Sequence, residues 1–127
     1  MRALWCSRHK PLPSQVRELS NRGITIIAPA KTFFQNAEEV ISLAKKYDCK
    51  YIVSVLPLTM IARICELAEE EGLIVLYPVM EELGELNDDG RIDCERDVIL
   101  DVGGKKKVVR FQCFKKVKGV KIILEDW

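Results

Sequence analysis

Through the first 80 residues, short continuous apolar runs alternate with stretches of 3.6-residue periodicity, a pattern that predicts strand and helix in succession. Arg2 to Ser7 reads as a strand. Ser14 to Arg22 reads as a helix with Val16 and Leu19 on its inner face and Gly23 at its end. Ile24 to Ala28 is a second strand, stopped by Pro29. Asn36 and Glu39 have the spacing of a capping box, and the helix they open carries Val40, Ile41, Leu43 and Ala44 as its apolar stripe. Tyr51 to Leu56 is a third strand. Thr59 stands where a side chain can cap the next helix, whose Ile61, Ile64, Leu67 and Ala68 recur at helical spacing up to Gly72. Leu73 to Tyr77 gives a fourth strand.

Strands apolar at every position suit a parallel sheet covered on both faces, whereas one-sided sheets alternate apolar and polar residues. With right-handed crossovers the expectation is an α/β fold, a Rossmann-like three-layer βαβαβαβ parallel sheet over residues 1–80. Glu81 to Asp97 is acidic and turn-rich, contains AsnAspAspGly, and reads as a connection. Beyond it, Val98 to Val102, Lys107 to Val117 and Val120 to Leu124 are rich in β-branched and aromatic residues, with turns at Gly103 and Gly104 and at Lys118 and Gly119. Residues 98–127 are therefore expected to form a C-terminal antiparallel β-meander that continues the sheet or crosses to a partner subunit. The whole, 1–127, is read as one domain.

Composition adds exclusions. The chain is 48% apolar and 31% charged with a formal net charge of +1, so overall charge points to neither nucleic acid nor an acidic partner. No apolar stretch reaches the roughly 18 to 20 residues needed to cross a bilayer, and no signal-peptide pattern opens the chain, so no membrane association and a cytoplasmic location are expected. Cys6, Cys49, Cys65, Cys94 and Cys113 are scattered without a CxxC pair or a zinc-ligand spacing, so neither a metal nor a cofactor is expected and the thiols read as core residues.

The inferred fold gathers the loops after its first three strands on one rim, where open α/β sheets bind ligands. Ser7, Arg8, His9 and Lys10 follow strand one, Lys31 and Thr32 strand two, and Thr59 strand three, while Gln15 lies one turn into the first helix. Arg8 offers a planar donor fork, Lys10 a point charge and His9 a general acid or base near neutral pH, with Ser7 and the first helix's opening amides completing an anion site. Prolines where GxGxxG needs glycines, and the absence of GxxxxGK[ST], argue against dinucleotide binding and ordinary NTP hydrolysis. The SerArgHis string lacks the second histidine that histidine-phosphatase chemistry requires. Residues 85–96 match an EF-hand loop at Glu85, Asn87, Asp89, Gly90, Ile92 and Asp93, but Arg96 occupies the place of the bidentate glutamate. The Lys105 to Lys107 run, with Phe111 and Phe114 nearby, fits either a polyanion-binding face or a solvated sheet edge.

The opening LeuTrpCysSerArgHisLysProLeuProSerGlnValArgGluLeu resembles that of small CRISPR-associated Rossmann-like accessory proteins, with His9, Pro11, Pro13 and Gln15 in the matching places. Arg8 and Lys10 depart from that pattern. The resemblance covers about the first twenty residues and implies binding or cleavage of cyclic oligoadenylates, often by a homodimer. The leading expectation is a homodimer binding a phosphate-rich nucleotide, with metal-independent phosphodiester cleavage by a ring-nuclease-like route if it is an enzyme. His9, Arg8 and Lys10 would be catalytic, and Ser7, Gln15, Lys31, Thr32 and Thr59 ligand-binding. The alternatives are a noncatalytic regulatory or interaction module, and nucleic-acid binding through the basic C-terminal strands.

Overall fold

A computed structural model describes residues 1–31, 33–87 and 90–127. The expected succession is present: β1 (Arg2–Cys6), α1 (Pro13–Asn21), β2 (Thr25–Ile27), α2 (Ala37–Lys46), β3 (Tyr51–Ser54), α3 (Leu58–Glu71), β4 (Ile74–Glu85), β5 (Asp97–Val102) and β6 (Lys105–Lys116). They build an α/β structure around one six-stranded mixed sheet of order β2-β1-β3-β4-β6-β5. The first four strands are parallel and β6 runs antiparallel to both its neighbours.

Both faces of the parallel strands are buried, as their unbroken apolar character requires. Leu4, Cys6, Ile52 and Val75 pack against α2 and α3. Ala3, Trp5, Val53 and Leu76 join Leu19 of α1 and Ile24 on the opposite face. Asn36 opens α2 by accepting the Glu39 amide at 2.9 Å, while the Glu39 carboxylate accepts from the Gln35 amide at 2.8 Å, one residue earlier than a capping box specifies. Pro57, not Thr59, is the N-cap of α3, and it supplies no side-chain cap. Three of the five cysteines are core thiols. Burial, and secondarily Cys49, pushes the Cys6 thiol up to about 12, and burial also raises Cys49 and Cys65.

The second half departs from a meander in two ways. First, β4 does not stop at Tyr77 but runs for 12 residues, so Glu81, Glu82 and Glu85 are strand residues and the connection shrinks to 86–96. An acidic run is a poor strand by itself, yet its partner β6 is basic. Glu81 lies opposite Arg110 and Glu85 opposite Lys107, and Lys107 also pairs with Glu82 at 2.9 Å. Register shifts at Val79/Met80 and Glu82/Gly84 bend the ribbon, Gly84 taking a positive φ of 109° at the second. Second, β6 inserts between β4 and β5, which makes β5 the sheet edge. The β5–β6 hairpin turns on Gly103 and Gly104, whose φ values of 60° and 81° suit the tight two-residue turn that follows strand twist. The expected strand at Val120 to Leu124 is absent, since no regular element follows β6.

Of the two phenylalanines near the lysine run, Phe111 is buried and Phe114 half-buried against the core. Their centroids lie 4.9 Å apart, and Phe114 meets Trp5 edge-on at 6.5 Å, joining β6 to β1. Asp97 is 5% exposed, and its two carboxylate oxygens accept from Arg110 at 2.7 and 3.1 Å while one also accepts the Asp93 amide at 2.8 Å. Among the described residues no helix is long and apolar enough to cross a membrane.

The hydrogen bonds from Arg110 hold the Asp97 carboxyl below the usual carboxylate range. A depressed folded-state pKa contributes stability that is complete above the unfolded value, about 3.9, and fades as pH falls through the folded one. Asp97→Ala should cost about 2–3 kcal/mol at neutral pH, through lost charge-assisted bonds and an unpaired Arg110. Urea unfolding from pH 7 down to pH 3 should show the gap to wild type constant until about pH 4 and closing below it.

Candidate functional site

β1 lies between β2 and β3, so the chain leaves it first to one side and then to the other. Such a switch point opens a crevice beyond the strand ends, and a cleft of about 320 Å³ is found there. One wall is Ser7, Arg8 and His9. Facing it are Phe33 and Phe34 from the β2–α2 connection, with Val55, Leu56, Pro57 and Met60 from the start of α3. Phe33 is 69% exposed at the mouth. The 14-residue α3 begins at this edge, and its first two amides, Leu58 and Thr59, precede the first backbone bonds that return to Pro57.

The loop after β1 is held by side-chain to backbone bonds. The Trp5 Nε1–H donates to the His9 carbonyl at 2.8 Å, and the His9 amide donates to the Ser7 hydroxyl at 3.2 Å. Both ends of the tripeptide are thereby fixed while the Arg8 and His9 side chains remain exposed. Arg8 makes no ion pair among the described residues, which leaves its donor fork available to a ligand.

Several predicted site residues do other work. Gln15 is buried, and its Oε1 accepts the Leu12 amide at 2.8 Å, so it caps α1 rather than facing the cleft. The expected amide cradle at α1 is closed as well. Pro13 has no N–H, and the Ser14 amide donates to the Glu95 carbonyl at 3.1 Å, beside the Arg17–Glu95 ion pair. Lys31 is paired with Glu39, and its ammonium sits 5.9 Å from the Phe34 ring centroid. Thr59 is exposed but does not line the cleft, and Thr32 lies outside the described residues.

Lys10 diverges from Arg8. It lines a second, largely apolar cavity of about 180 Å³ on the other side of the loop, with Trp5, Leu12, Met80 and Leu100. Ser7, His9 and Val55 border both spaces and form the partition between them. The trio of Arg8, His9 and Lys10 therefore does not converge on one point, because the chain bends through Ser7 to His9, where the His9 amide folds back onto the Ser7 hydroxyl. What sequence reasoning missed is the aromatic and apolar wall. The PhePhe pair at 33–34 and the LeuProLeu run at 56–58 were its only signals.

No carboxylate lines the cleft among its described residues, so the site presents the Arg8 cation and apolar surface without an acidic partner. That combination can hold an anion at one end and a flat or aliphatic group at the other. Among the metal-ligating types, no group of three or more is gathered among the described residues. The EF-hand pattern is dispersed: Glu85 belongs to β4, Lys105 lies 3.7 Å from its carboxylate, and Asp89 falls outside the described residues.

Trp5→Phe keeps an aromatic ring in the core while removing the bond to His9 and part of the indole's volume. It should cost about 2 kcal/mol, the lost bond and the lost volume together, and accelerate amide exchange at Arg8 to Lys10; unchanged exchange there would show that the indole does not hold the loop. No protein-family model, curated protein or solved structure matches this chain.

Proposed function

We propose that the cleft at the β1/β3 switch point binds a phosphate-bearing nucleotide. The observation that carries this reading is the pairing, in one space, of an unengaged Arg8 guanidinium with the exposed Phe33 ring and Met60. The cation and the opening amides of α3 suit a phosphate, and the aromatic wall suits a base. We read the parallel half as a Rossmann-like layer, with helices on opposite faces and the ligand at its switch point. At about 320 Å³ the cleft is at the small end of ligand sites and accommodates one nucleotide unit.

A cyclic oligoadenylate, the ligand implied by the resemblance of the opening residues, would need two such clefts and hence two copies of the chain. Cleavage, by attack of a ribose hydroxyl on the adjacent phosphate, would draw on Arg8 for charge and on His9 for the proton, with Lys10 left outside the reacting group. The divergence of Lys10 favours binding over turnover.

Thermal unfolding against mono-, di- and cyclic oligonucleotides tests the site. A ligand present at about 100 times its Kd adds about 2.7 kcal/mol, a shift of several degrees for a chain of this size. Arg8→Ala should abolish the shift, Phe33→Ala should reduce it, and Lys10→Ala should leave it unchanged. No shift with any phosphate ligand, or a shift indifferent to Arg8→Ala, would remove the proposal; product analysis with His9→Ala then separates binding from cleavage.

A further inference from the structure

The segment after β6 presents an unusual surface. Ile122, Ile123 and Leu124 are 73, 86 and 86% exposed, in a run whose composition predicts a strand yet which pairs with nothing. Val117 and Val120 anchor its start against the core, and the Val117 amide donates to the Val75 carbonyl at 2.9 Å. From Lys121 onward the arm is exposed throughout.

The sheet offers one matching acceptor. β5 ends the strand order; the Asp97 amide at its start is held by the Asp93 carbonyl at 2.8 Å, and from Val98 to Val102 no backbone group among the described residues bonds to its outer edge. Ile99 and Val102 on it are 40 and 56% exposed. Antiparallel pairing that sets Lys121 opposite Asp101 places Ile122 against Leu100, Ile123 against Ile99 and Leu124 against Val98. The charged pair is then of opposite sign, and every other pair is apolar on both sides. Neither Lys121 nor Asp101 has an ion-pair partner among the described residues.

Reach decides whose arm fills the edge. Asp101 pairs with Lys106, and β6 climbs about 35 Å from Val117 back to that level at about 3.3 Å per residue. From Val117 to Lys121 a fully extended chain covers only about 14 Å. The arm therefore cannot take up this register on the β5 of its own chain.

We propose that Lys121 to Leu124 adds as a seventh strand to the β5 edge of a second copy, and that the exchange is reciprocal. Four paired residues are too few to hold two chains alone, whereas a two-fold exchange buries both arms and closes both edges. The inference is independent of the nucleotide reading.

Sedimentation equilibrium on the full chain over a range of concentrations tests it. The wild type should dimerise, and Ile123→Lys in the arm and Ile99→Lys on the edge should each weaken the dimer at least tenfold without lowering the monomer's melting temperature. Lys121→Asp should weaken it too, and adding Asp101→Lys should restore it. In a Cys94→Ser, Cys113→Ser background, mixing Ile123→Cys chains with Ile99→Cys chains should give a disulfide between unlike chains, since paired strand residues lie within disulfide reach. A monomer at every concentration, a dimer untouched by both lysine substitutions, or one sensitive to the arm but not to the edge would each overturn the proposal, the last two assigning another occupant to these surfaces.

Discussion

The indole of Trp5 is the point through which the two halves of the sheet and the candidate site depend on one another. Its ring is buried on the α1 face of β1 and meets Phe114 of the antiparallel half edge-on, while its single polar atom fixes the His9 carbonyl. A tryptophan buried with its N–H satisfied brings large apolar area and one directional constraint together. Leucine at this position would stay apolar but leave a void and the loop unpinned. Phenylalanine would retain the aromatic contact alone.

Charge complementarity does for the antiparallel half what apolar burial does for the parallel half. β4 starts as a core strand between helices and ends as a ribbon of glutamates facing the arginine and lysines of β6. Exposed pairs of this kind contribute little singly. Their value is the choice of partner: an acidic strand end accepts a basic neighbour, whereas a second acidic strand beside it would repel. The Asp97–Arg110 pair, its carboxylate buried, then marks where the hairpin begins, and Asp97 holds the Asp93 amide close to Glu95, whose carbonyl accepts from the first turn of α1.

The first four strands and three helices were legible because each buries its own apolar pattern, a local property of sequence. Boundaries failed where the deciding partner lay elsewhere in the chain. Glu81 to Glu85 reads as a connection until the basic β6 is placed beside it, and Val120 to Leu124 reads as a strand although this chain supplies it no neighbour. The site followed the same rule. The rim after β1 was visible from topology, and Arg8 and His9 do line the cleft. Gln15 could not be separated from a ligand contact, because one spacing serves a capping residue and a crevice residue equally. Lys10 failed for a simpler reason, since the bend at Ser7 to His9 turns it away from Arg8 and into the other space.

The strand order also dictates when each piece can settle during synthesis. β5 leaves the ribosome before β6, yet it touches the rest of the sheet only through β6. Until Lys105 to Lys116 has emerged, β5 has no partner and β4 displays an open flank. The nascent protein thus passes through a stage in which a finished parallel layer carries a bare margin, and insertion of one basic strand fixes β4 and β5 together.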